Sequence, residues 1–240
     1  RGHMKKRVVL ITHDEATAAE LCGDINALGL KCLNFPTRDL CIGDLSGYSK
    51  EYEHKRIDTL SAVADGAFDL LTISLDAAVQ YTVKPEVLKS ARFTLKTGDS
   101  ADTSELAERL INAGYTRSQL CEGLGQFSVR GGIVDVYPAA CPQPVRIELW
   151  GNTVDTVSYF DLTTQRRTDA TDGVSIPPAA ERLILDPAAL ADRMEQLAAR
   201  RGGRSAAARE ALRRDAARLR AGGRLPDSDK YLSLLYPDLA

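Results

Sequence analysis

The sequence predicts an α/β protein in three parts: a parallel α/β domain over residues 5–98, an inserted α+β domain over 99–180 with a twisted antiparallel sheet, and a helical return segment over 181–240 that packs on the first domain. Three observations predict it. Short apolar runs alternate with helix-length segments up to residue 95, as in a doubly wound parallel sheet. After Gly98, strands of two-residue periodicity follow one another across tight glycine turns. From Pro187 onward alanine and arginine dominate, and large apolar residues are too few for that segment to make a core alone.

Val8-Val9-Leu10-Ile11 is wholly apolar and rich in β-branched residues, which suits a buried parallel strand. A helix from Glu15 to Leu28 follows, capped by Thr12 or Asp14 and ended by Gly29, with Ala19, Leu21, Cys22 and Ile25 on one face. Cys32 to Phe35 is a second strand, stopped by Pro36. Ser49 starts a long helix with Tyr52, Arg56, Leu60 and Val63, ended by Gly66. Asp69 to Ser74 is the third strand, and Pro85 opens a short helix at its first turn. In the inserted part, Thr103 to Ala113 is helical. Two hairpins follow: Phe127–Arg130 and Ile133–Tyr137 around Gly131-Gly132, and Val145–Trp150 and Thr153–Phe160 around Gly151-Asn152. Helices fill Ala188–Arg220 with a break at Gly202-Gly203, and Tyr231–Tyr236 closes the chain as a short apolar helix.

The chain has 240 residues, 44% hydrophobic and 27% charged, an ordinary globular balance. Its formal charge of −2 excludes a chain-wide electrostatic binder of nucleic acid. No apolar run reaches the length of a membrane span. Five cysteines without a CxxC pair argue against a disulfide framework or zinc site and for a reducing cytoplasm. Arg1-Gly2-His3-Met4 reads as a cloning remnant, which leaves His13 and His54, too few for a histidine metal site.

His13-Asp14-Glu15-Ala16-Thr17 follows a hydrophobic strand, as the DEAx box of ATP-driven helicases does, where the acids hold magnesium. The partner phosphate loop GxxxxGK[ST] is absent from the sequence, so acids capping a first turn are the simpler reading. Gly123-Leu124-Gly125 fails as a dinucleotide fingerprint because Ser128 stands where the third glycine belongs. Residues 193–224 hold ten arginines against Glu195, Glu210 and Asp215: a solvated helix, a DNA-facing helix, or a contact with an acidic domain. Arg130, Arg146 and Trp150, beside the Gly151-Asn152 turn, have the composition of an interface hot spot. The alternative is that Trp150 is core and the arginines shield the sheet.

GQFSVRGGIVDVYP (125–138) and PVRIELWGNTVDTVSYFDLTTQRR (144–167), with FPTRDL (35–40), DLLTIS (69–74), PAAERLIL (178–185) and KYLSLLY (230–236), closely resemble the UvrB-homology region of the transcription-repair coupling factor (Mfd) family. UvrB itself is the nearest alternative, a DNA-dependent ATPase that binds damaged DNA. It needs a phosphate loop and an aromatic-rich hairpin after the FP segment, for which Pro36 to Ser49 is too short. The resemblance implies a degenerate helicase-like domain that has lost its ATPase motifs, and an inserted domain that binds UvrA. Its surface would use Arg130, Arg146, Trp150, Gly151 and Asn152, where the family often has an acid at the last position. It further implies no catalytic residue, cofactor or metal in this chain. ATP and magnesium, RNA polymerase and DNA would engage other domains of the parent, whose C-terminal domain would mask the docking face by an intramolecular contact.

Overall fold

The structure, a computed structural model, describes residues 7–38, 50–138, 141–184, 186–200, 205–221, 225 and 228–235. It mixes helix and sheet and divides into two compact units, Arg1–Glu181 and Arg182–Ala240.

The first unit opens with β1 (Val8–Thr12), α1 (Glu15–Ala27), β2 (Cys32–Phe35), α2 (Lys50–Ala64) and β3 (Leu70–Ser74). These strands form a parallel sheet in the order β1-β3-β2. The crossover helices put β3 in the middle, so β1 is an edge. Its Val8, Val9 and Ile11 are 45–62% exposed, which corrects the expectation of a buried strand. The cap of α1 is Asp14, whose carboxylate accepts from the Thr17 amide at 2.7 Å. Of the predicted face of α1, Cys22 is buried and Ile25 half-buried, but Ala19 and Leu21 face solvent and Ala18 is buried instead. Ser49 lies outside the described residues. Short helices α3 (Leu75–Ala78) and α4 (Pro85–Ala91) lead out of this layer.

Next come β4 (Phe93–Lys96), α5 (Thr103–Asn112), β5 (Thr116–Arg117), β6 (Gln126–Arg130), β7 (Ile133–Val136), β8 (Val145–Trp150), β9 (Thr153–Phe160), β10 (Arg167–Thr171) and β11 (Gly173–Ile176). Strands β5 to β10 form one sheet in sequence order, antiparallel except for the β5–β6 pair. Strands β4 and β11 pair antiparallel. Leu106, Leu110, Phe127, Val134, Ile147 and Val157 fill the core between α5 and the sheet. That core also takes Phe93 and Leu95, so it reaches back before residue 99.

Both predicted hairpins are present. Gly151 takes φ +58°, a value a side chain disfavours, at the first central position of its two-residue turn. A Cβ on Gly132 would lie 2.6 Å from the Leu149 carbonyl oxygen. Backbone cannot yield as a side-chain end can, so Gly132→Ala is expected to cost about 1–3 kcal/mol. A melting temperature equal to that of the parent chain would refute the clash.

The second unit contains α6 (Pro187–Ala199), α7 (Ala206–Arg220) and α8 (Leu232–Leu235). Leu190, Met194, Leu212, Ala216, Leu219 and Tyr231 bury one another, so this segment has an apolar core that its composition did not promise. Alanine is the reason: small side chains at Ala191, Ala198 and Ala216 let the helices approach closely enough for few large residues to fill the gap. Gly202-Gly203 lies outside the described residues.

Candidate protein-interaction face

Alternation along β8 sends Val145, Ile147 and Leu149 into the core and Arg146, Glu148 and Trp150 to the other face. The register aligns Ser128, Asp135, Arg146 and Ser158 in one row across four strands. Asp135 is fully buried in that row. Arg146 grips it with both prongs, Nε to Oδ1 at 2.7 Å and Nη2 to Oδ2 at 2.9 Å. Its Nη1 donates to the Gln165 carbonyl at 3.1 Å, and its guanidinium lies 5.0 Å from the centre of the Phe160 ring. The bonds it donates to Asp135 hold the guanidinium above the ordinary arginine pKa. Arg130, half-exposed, donates to the same carboxylate at 3.1 Å.

In the next row Glu148 pairs with Arg167, whose Nε reaches Oε1 at 2.9 Å. Beyond it Trp150 stands at the hairpin tip, 84% exposed, so it is not core. Gly151 and Asn152 beside it are exposed too. The segment after β4 pins this tip: the Gly98 amide bonds the Val154 carbonyl at 2.8 Å, and the Ala101 amide bonds the Asn152 carbonyl at 3.0 Å. On the other side the Leu149 amide bonds the Gly132 carbonyl at 2.7 Å, which ties the two hairpins together.

The structure therefore gathers Arg130 and Arg146 on one carboxylate and sets Trp150, Gly151 and Asn152 on the hairpin tip. Arg146 is buried and its fork is filled by Asp135, whereas the resemblance implied that Arg146 would form part of the UvrA-binding surface. Sequence reasoning also missed Asp135 and Glu148. Both are acids at polar positions of alternating strands, and only the register shows which arginine each one faces.

The chemistry of the described residues is otherwise quiet. Asp14 is held below the usual carboxylate range by the Thr17 amide, as a cap is. Burial pushes the Cys32 thiol up to about 11 and Cys121 up to about 12, away from nucleophilic use. No group of three His, Cys, Asp or Glu among the described residues could hold a metal, and no described helix is long and apolar enough to cross a membrane.

Residues 93–181 match the family model of the UvrB interaction domain. The chain is 32% identical over 195 residues to the transcription-repair-coupling factor of Bacillus subtilis (strain 168), covering 80% of this chain and 16% of that protein. It is 34% identical over 184 residues to the transcription-repair-coupling factor of Staphylococcus haemolyticus (strain JCSC1435), covering 76% and 16%. This chain thus spans 16% of the length of these curated relatives. Residues 93–181 belong to the UvrB interaction domain family, within a chain that is similar over most of its length to one segment of the transcription-repair-coupling factors.

Proposed function

We propose that residues 99–180 are a docking module without chemistry of its own, which recruits UvrA to stalled RNA polymerase in transcription-coupled nucleotide excision repair. Residues 5–98 and 181–240 are, in this reading, a helicase-like fold that lacks ATPase motifs. ATP, magnesium and RNA polymerase are left to the rest of a longer cytoplasmic protein.

The observation that carries the reading is Trp150. A tryptophan left 84% exposed on a tip held by backbone bonds from both sides loses little entropy when a partner covers it. Arg130 supplies a charged rim on the neighbouring hairpin, and the Asp135–Arg146 pair keeps the two hairpins in register behind it. Gly151 permits the turn, and Asn152 offers an exposed amide there.

Trp150→Ala is expected to weaken UvrA binding at least about tenfold, some 1.4 kcal/mol, without lowering the melting temperature. A titration against UvrA of the same organism, with thermal unfolding alongside, measures both. Equal affinity of variant and parent chain would refute Trp150 as the anchor. Failure of the folded parent chain to bind would refute the docking reading.

A further inference from the structure

The arginines of α7 are not equivalent. Arg220 is spent on Asp192 and Glu195 of α6. Arg214 sits 3.7 Å from Asp215, a buried carboxylate that also accepts from the Tyr231 hydroxyl at 2.6 Å and lies 3.0 Å from Lys230. Arg209, Arg213 and Arg218 have no ion-pair partner among the described residues, and Arg213, Arg214 and Arg218 are exposed.

Leu212, Asp215, Ala216 and Leu219 make the buried stripe of α7. On the outward side Arg209 and Arg213 form one ridge at four-residue spacing, and Arg214 and Arg218 form another. Between the ridges lie Ala206, Ala217 and Ala221, with Glu210 toward the start of the helix. Like charges four residues apart weaken a helix, so this arrangement works against the stability of α7 itself. Arg182–Ala240 holds twelve basic and eight acidic residues inside a chain of net charge −2.

We infer that the outward face of α7 binds the phosphate backbone of duplex DNA without reading its sequence. Four arginines along about 14 Å of helix present planar forks that fit phosphate oxygens. The alanine floor lets a backbone approach. The face has no aromatic side chain on which an unpaired base could stack. Apart from Glu210 and the arginines, its exposed positions carry no polar side chain that could read a base edge. An acidic protein would bury little apolar area on this face, which sets no aromatic or large apolar side chain beside its arginines.

The test is fluorescence anisotropy of a labelled duplex of arbitrary sequence with the whole chain, from 50 to about 200 mM salt. Four phosphate contacts predict a slope of log K against log salt of about −3 to −4. The triple variant R213Q/R214Q/R218Q should flatten it to about −1, while R92Q, whose arginine is paired with Asp65, should leave it unchanged. An unchanged slope in the triple variant overturns the assignment. So does polyglutamate that competes as well as DNA at equal charge, which would make the partner an acidic protein.

Discussion

Glu181→Gln is expected to destabilise the Arg1–Glu181 unit by about 3–5 kcal/mol. The Glu181 side chain is 2% exposed and sits between two arginines that are buried with it. Arg56 donates Nε at 2.9 Å and Nη2 at 3.0 Å, and Arg38 donates Nε at 3.1 Å and Nη2 at 2.6 Å. Neither arginine can retreat to water. Arg56 is also bonded to the Pro36 carbonyl and stacked 4.1 Å from the Phe35 ring centre, and Arg38 bonds the Tyr81 carbonyl at 3.1 Å. Glutamine keeps the shape but removes the charge, leaving two guanidinium groups in a low dielectric with no carboxylate between them. Removing one partner of a buried ion pair costs far more than the pair contributes, because the stranded charge stays desolvated.

Glu181 ends the 93–181 match, whereas Arg38 and Arg56 come from the preceding parallel layer, so the cluster ties the two parts of this unit together. Urea unfolding followed by far-UV circular dichroism should show a lower midpoint at an unchanged slope. A midpoint equal to that of the parent chain would sink the assignment. Arg38→Ala should cost less than Glu181→Gln, because Arg56 keeps its two-pronged grip.

Arg146→Ala is expected to cost about 3 kcal/mol. It strips the two shortest hydrogen bonds from Asp135, which is fully buried, and leaves the single bond from the half-exposed Arg130. The loss should disappear in part when both charges go. Asp135→Leu with Arg146→Met removes the stranded carboxylate and fills the space with apolar atoms, a replacement often neutral or stabilising. A double variant less stable than Arg146→Ala alone would show that the pair holds the sheet by more than charge compensation. UvrA binding separates the two kinds of residue on this face: Arg146→Ala should weaken it by loosening the hairpins, with a lowered melting temperature, whereas Trp150→Ala should weaken it with the fold intact.

Local patterns were enough for the strands and turns of the two hairpins that carry Arg130, Arg146 and Trp150. Two-residue alternation in VRIELW and TVDTVSYF around Gly151-Asn152 specifies a hairpin whatever surrounds it, because strand period and turn conformation are short-range properties. The pairing of β4 with β11 was not legible: FTLK at 93–96 and GVSI at 173–176 are four residues each, and about eighty residues separate them.

By itself the sequence determined the alternating layers, the two hairpins, the absence of a phosphate loop and the resemblance that drew Arg130, Arg146, Trp150, Gly151 and Asn152 together. Tertiary structure alone decided where each of them sits and what it touches. It placed Trp150 in solvent, closed Arg146 onto Asp135, put the apolar β1 at a sheet edge and set Glu181 between two arginines. The physical reason is range. Periodicity and turn preference act over a few residues, whereas burial and ion pairing depend on which distant strand lies alongside, and strand order is written in no local stretch of the chain.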